Sequence, residues 1–180
     1  LLGHIFGIND LTIEDVAQQG QRAKVESYDH YIYFVMHAIR HDPRTKRTTT
    51  PELDLILGEN YLVSVHYGLL GEIVGHHFAA VVGDVMARGA DFLLYTLADN
   101  LVDSYFPALD SIDDEIDSLE DDIVSLPRDN VLPRIFHLKR DLIQLRKVVS
   151  PQLQVFANLT NRSYPQIKEE HLIYFRDVHD

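Results

Sequence analysis

The sequence predicts an α/β fold: an N-terminal α/β domain with a mixed or antiparallel sheet packed by helices, followed by long antiparallel helices forming a hairpin and the start of a stalk. Three observations predict it. Tyr28 to Ile39 is rich in aromatic and β-branched residues and precedes two further strand-like runs. From Asp91 to Pro127, apolar residues such as Leu94, Leu97, Leu101, Tyr105, Ile112 and Leu119 recur every three or four positions, the stripe of a helix lying against others. Leu132, Ile135, Leu138, Leu142 and Leu145 repeat that stripe after a short turn. The expected division is residues 1–88 and 89–180, the second part comprising an acidic helix 90–126, a basic helix 131–160 and a truncated stalk helix 166–180.

Taken in order, Asp10-Leu11-Thr12-Ile13-Glu14-Asp15-Val16 starts a short helix, with Asp10 or Thr12 as N-cap, and Gly20 ends it. In the strand that follows, Tyr31, Tyr33 and Val35 alternate against Ile32, Phe34 and Met36, so both faces are covered. Residues 42–47 are turn material. Leu53 to Leu57 and Tyr61 to His66 are two more strands across Gly58-Glu59-Asn60, which makes an antiparallel three-strand meander. Residues 71–88 contain interior glycines and form a helix only if packed on the sheet. The acidic helix, about 55 Å long if straight, carries Pro107, which predicts a kink between Phe106 and Asp110. It stops near Leu126-Pro127, and Pro133 sits in the first turn of the next helix.

With 180 residues and 46% apolar content, the chain can bury a real core. A net charge of −12 and a pI near 5.1 exclude a sequence-independent grip on nucleic acid or anionic lipid and favour cationic partners. Cysteine is absent, so no disulfide framework exists, and a reducing compartment fits. No run reaches the 18 or so uncharged apolar residues of a membrane helix. The chain therefore reads as soluble. It begins without methionine and stops at Asp180 inside an expected helix, which reads as a piece of something longer. No Gly-rich phosphate loop, His-Glu-x-x-His or Gly-x-Ser-x-Gly is present, so no enzyme activity is expected. Of the ten histidines, His37 and His41 lie about 13 Å apart along a strand, and His76 and His77 point to different helix faces. Neither pair suits one zinc ion.

Charge carries the remaining signal. Asp91 to Pro127 holds eleven acids and no Lys or Arg, whereas Val131 to Ser150 holds five bases against Asp141 alone. That contrast predicts an antiparallel hairpin whose rims attract, each surface pair contributing under about 1 kcal/mol. Mg²⁺ takes oxygen ligands, usually a few carboxylates with retained waters. Asp99 and Asp103 share one helix face, and Glu14, Asp15 and Asp177 are other acids near joints between elements. Each has a plainer reading. Glu14 and Asp15 can favour the positive end of their helix, Asp99 and Asp103 can be a solvated face, and Asp177 can pair with Arg176. Spacing alone leaves both readings open.

The order of motifs goes further. Leu11-Thr12-Ile13-Glu14-Asp15-Val16 is followed by Gln21-Arg22-Ala23-Lys24-Val25-Glu26-Ser27-Tyr28-Asp29-His30-Tyr31. Then come Leu93-Leu94-Tyr95-Thr96-Leu97-Ala98-Asp99-Asn100-Leu101-Val102-Asp103-Ser104-Tyr105-Phe106, the run from Leu138 to Lys147, and Tyr174-Phe175-Arg176-Asp177-Val178-His179-Asp180. This series closely resembles the cytoplasmic part of the CorA family of magnesium and cobalt transporters, over nearly the whole chain. The resemblance implies a funnel-shaped homopentamer on the cytoplasmic side of the cell membrane, anchored by helices beyond Asp180. It implies regulatory Mg²⁺ or Co²⁺ ions between subunits, with Glu14 and Asp15 offered by one subunit and Asp177 by its neighbour. Asp99 matches a further acid of that region, and Asp103 fits the pattern without an assigned ligand role. The family's Gly-Met-Asn pore motif lies outside this sequence, so sensing rather than transport is expected of it. The cytoplasmic domain of a related zinc transporter and a metal-free helical scaffold for protein partners are the alternatives.

Overall fold

The computed structural model describes residues 2–42, 44–45, 47–68, 75–125 and 128–180. Among these, helices α1 (Leu2–Phe6) and α2 (Asp10–Ala17) precede strands β1 (Lys24–Ser27), β2 (Tyr31–His37), β3 (Arg40–Asp42), β4 (Arg47–Thr49), β5 (Glu52–Gly58) and β6 (Leu62–His66). Helices α3 (Gly75–Arg88), α4 (Ala90–Asp103), α5 (Tyr105–Ser125) and α6 (Arg128–Asn161) follow. A 3₁₀ turn (Glu169–His171) leads into α7 (Leu172–His179). Residues 71–74 of the expected third helix, and its neighbour's expected stop at Leu126-Pro127, lie outside the described residues. Among the described residues no helix is long and apolar enough to cross a membrane.

The sheet is antiparallel in the order β1-β2-β5-β6, with Tyr33 opposite Ile56 and Val35 opposite Asp54. The expected meander is β2, β5 and β6. Strand β1 and the separate β3-β4 hairpin are additions. Both are short and mostly polar, so neither offers the apolar alternation by which strands are recognised.

Every residue of β2 is buried, and its two faces feed two cores. Tyr31, Tyr33 and Val35 pack with Ile8 and with Val16 of α2. Ile32, Phe34 and Met36 pack beneath Leu94, Leu97 and Leu101 of α4, Phe156 and Leu159 of α6, and Phe175 of α7. Full burial stabilises by about 1.5–3 kcal/mol for each such side chain, so the register of β2 fixes which helices lie on which face. Helix α2 therefore lies on one side of the sheet, and α4, α6 and α7 on the other.

Local chemistry sets the boundaries. Asn9, rather than Asp10 or Thr12, caps α2, its side chain accepting the Thr12 N–H at 2.9 Å. The Thr12 hydroxyl is committed to Tyr31 at 2.9 Å inside the core. The long acidic helix is two helices. Pro107 has no N–H to bond the Asp103 carbonyl, and its ring collides with that carbonyl, so the helix breaks at Ser104 rather than bending after Phe106. The Ser104 hydroxyl donates to the Leu101 carbonyl (2.6 Å) and accepts the Ile39 N–H (3.2 Å).

The antiparallel hairpin of α5 and α6 is as expected. The Arg134 guanidinium grips Glu115 at 2.8 Å, together with Asp122 and Ser118, so some of the acids serve surface pairs. Further along α6, the Gln152 carboxamide accepts the His37 N–H at 2.8 Å and donates to the His37 carbonyl at 3.2 Å. The Tyr105 hydroxyl donates to the same carbonyl at 2.7 Å. These bonds close the end of β2, whose buried backbone groups must find partners. The stalk helix begins at Leu172 instead of 166, because residues 164–167 form a turn closed by the Ile167 N–H on the Tyr164 carbonyl at 3.0 Å.

Candidate divalent-cation site

Asp99 and Asp103 lie one turn apart on α4, and α7 brings Asp177 to the same patch. Asp99 is half-buried, while Asp103 and Asp177 are exposed. Burial, and then the charges of Asp103 and Asp177, hold the Asp99 carboxyl above its ordinary range. The Tyr95 phenol, one turn earlier, is raised by burial and then by Asp99 and Asp177. None of the three carboxylates has an ion-pair partner among the described residues. The arrangement stores like-charge repulsion that a cation would relieve.

A buried clasp holds α7 there. Asp91 (3% exposed) and His171 (3% exposed) meet at 2.7 Å, and the same Asp91 oxygen accepts the Lys168 N–H at 2.9 Å. The Lys168 ammonium donates to the Arg88 carbonyl at 2.7 Å. Gly89, at φ +130°, makes the turn from α3 into α4, and a Cβ there would stand 2.7 Å from the Asp91 carboxylate. The Arg88 guanidinium stacks on Phe92 at 3.3 Å from the ring centre and donates to the Tyr174 hydroxyl at 2.9 Å. Sequence reasoning missed this clasp, counting Asp91 only as one of the eleven acids between Asp91 and Pro127. Its apolar company, Ala90, Phe92, Leu93 and Leu94, was the available signal.

Glu14 and Asp15 occupy the last turn of α2, the negative end of its dipole, so the dipole does not account for them. Glu14 is exposed and accepts from Gln18 at 3.1 Å. Asp15 is half-buried and pairs with the Lys24 ammonium at 2.5 Å, which also bonds Glu26 at 2.9 Å. Burial pulls the Lys24 ammonium down, but Asp15 and Glu26 hold it above its ordinary range. Below them the Tyr33 hydroxyl donates to Asp54 at 2.6 Å in the core. Burial pushes the Asp54 carboxyl up to about 6, against the Tyr33 hydrogen bond and with help from Glu52 and Asp15.

The two groups of acids thus sit on helices packed against opposite faces of one sheet. The fold joins Asp99, Asp103 and Asp177, but does not add Glu14 and Asp15 to them. Among the described residues, no group of three or more His, Asp or Glu is placed to hold a metal ion within one chain. His37 lies in the core and His41 bonds Thr48 at 3.1 Å; the side chains of His76 and His77 lie outside the described part. The acids of each group carry carboxylate oxygens, the donor type suited to a hard divalent cation.

The profile of the CorA-like Mg²⁺ transporter protein family matches residues 1–180. The cobalt/magnesium transport protein CorA of Thermotoga maritima is 36% identical over 99% of this chain and 52% of its own length. The chain therefore spans about half of that relative. Among solved structures, the soluble domain of CorA from Methanocaldococcus jannaschii superposes with a TM-score of 0.83 at 22% identity, covering 99% of this chain and 71% of that one. The ZntB cytoplasmic domain from Vibrio parahaemolyticus superposes at 0.71 with 12% identity, covering 98% and 70%. These two likenesses bear on the fold.

Proposed function

This chain belongs to the CorA-like Mg²⁺ transporter protein family, and on that premise we propose that it is the cytoplasmic, divalent-cation-sensing part of a Mg²⁺/Co²⁺ transport channel. The observation that carries the reading is the separation of two acid groups, Asp99, Asp103 and Asp177 without ion-pair partners among the described residues on one face, and Glu14 with the Lys24-paired Asp15 on the other. Neither is a whole site. Chains arranged in a ring, a homopentamer in this reading, would bring the Glu14–Asp15 end of one copy to the Asp177 side of the next.

Without a cation these surfaces repel. A divalent ion between them turns repulsion into attraction, an effect confined by screening to about 8–10 Å at ordinary salt. The ion then favours the closely packed ring, and its loss lets copies move apart. Gating follows only if the ion binds the packed arrangement more tightly than the loosened one. Mg²⁺ or Co²⁺ is the regulatory ion in this reading, because the donors are all oxygen and no imidazole joins them; structural zinc sites favour Cys and His.

Thermal melts of the assembled protein with Mg²⁺, Co²⁺ and Zn²⁺, against monovalent salt of equal ionic strength, test this. Mg²⁺ and Co²⁺ should raise the melting point beyond screening, by mass action. Asp15→Asn and Asp177→Asn should each abolish the excess. A response to Zn²⁺ alone would favour a zinc transporter, and no ion-specific response at all would favour a scaffold.

A further inference from the structure

Although the chain is strongly acidic, one cavity of about 660 Å³ has a basic rim. It lies between the loop that enters β1 and one face of α6. On α6, Ile143, Arg146, Lys147 and Ser150 follow the spacing that lines up a single helical face. Arg22 faces them from the loop. All three cations are exposed, and none has an ion-pair partner among the described residues. The loop itself is fixed, since Gly20 turns at φ +90° and the Gly20 and Gln21 N–H groups both donate to one Glu52 oxygen at 2.8 Å. His37, 7% exposed, stands in the wall. Ile143 is 46% exposed beside the cations, an apolar surface next to a positive one.

A concave site of this size falls in the range of about 300–1,000 Å³ that small ligands use. Three unpaired cations converging on it, two of them guanidinium groups that match phosphate oxygens in pairs, specify the charge and geometry of the occupant. We propose that this cavity binds a small polyphosphate anion, with Arg22, Arg146 and Lys147 pairing its phosphates. A nucleoside polyphosphate would place its base on Ile143. The site is separate from the acid groups of the proposed cation sensor and does not rest on that reading.

The test is calorimetric titration of the full-length protein, in EDTA and at fixed ionic strength, with tripolyphosphate, ATP, adenosine and sulfate. Tripolyphosphate and ATP should bind with Kd below about 1 mM, whereas adenosine and sulfate should not. ATP binding tighter than tripolyphosphate would identify a nucleotide, and equal binding an inorganic polyphosphate. Arg22→Gln should weaken binding by about tenfold, the loss of roughly one charged contact, and Arg146→Gln with Lys147→Gln, which removes two, should weaken it further. Both variants change exposed side chains and should melt like the parent protein. Absence of saturable binding, or equal binding by the double variant, would overturn the proposal. So would a signal that arises only because the anion breaks self-association, since a second copy's acidic surface would then be the occupant.

Discussion

The Asp91 carboxylate and the His171 imidazole stand 2.7 Å apart with both side chains almost wholly buried, joining the first turn of α4 to the entrance of α7. Eight residues downstream of Asp91 lies Asp99, and six downstream of His171 lies Asp177. The position of the acid patch therefore depends on a pair that bears no part of the patch's charge.

Replacing Asp91 by Ala leaves the part-buried Lys168 N–H and the buried His171 Nδ1 without their acceptor. A loss of about 3 kcal/mol is expected, read as a lower urea midpoint with faster proteolysis between α6 and α7. His171→Gln keeps a donor and should cost less. Equal, small losses in both variants would mean the clasp does not hold α7.

Asp54 gives the protein a distinctive pH dependence. Its folded pKa of about 6 lies above the ordinary aspartate value of 3.8, so the folded state binds the extra proton between those values. Its contribution to stability is present at acid pH and lost as pH rises through about 6. His37 acts oppositely: burial lowers it despite Glu52, so it favours the folded state less as pH falls below 6.5. The two are separated by difference. Asp54→Asn, which still accepts from Tyr33, should melt higher than the parent at pH 8, and the gap should close by pH 4.

Gln152 is expected to matter more than a polar residue on a helix usually does. Gln152→Leu strands the buried His37 N–H and should cost about 1–3 kcal/mol, measured by chemical denaturation. Tyr105→Phe removes one of two donors to the His37 carbonyl and should cost less, about 1 kcal/mol.

Asp99→Asn removes a half-buried charge that Asp103 and Asp177 oppose. In EDTA at neutral pH the variant should be more stable than the parent, because the raised Asp99 pKa marks stability lost as pH rises through it. With saturating Mg²⁺ the difference should shrink or reverse. A variant that gains nothing in EDTA would show that the patch is already screened.

Much of this was legible in the sequence because it follows from period. The two faces of β2, the β2-β5-β6 meander and the α5-α6 hairpin are all set by apolar spacing and charge contrast along short stretches. What escaped depends on competition or on distance. Pro107 acts one turn upstream, on the Asp103 carbonyl, so its effect appears at Ser104. Thr12 cannot cap α2 because Tyr31 engages its hydroxyl from across the core. Helical spacing alone pairs Asp99 with Asp103, but Asp177 joins them only through packing of α7 on α4. Asp91 was grouped with the acids downstream of it, although its apolar sequence neighbours set it apart, and its partner His171 comes from 80 residues away.

The most direct test of the cation-bridging account is a crystal structure of the assembled full-length protein grown with Co²⁺, with the ion located by its anomalous scattering. The account predicts a Co²⁺ peak between Glu14 and Asp15 of one copy and Asp177 of the next, absent from crystals grown in EDTA. Peaks only elsewhere, with Asp15 and the adjoining copy's Asp177 remote from each other in both crystals, would contradict it.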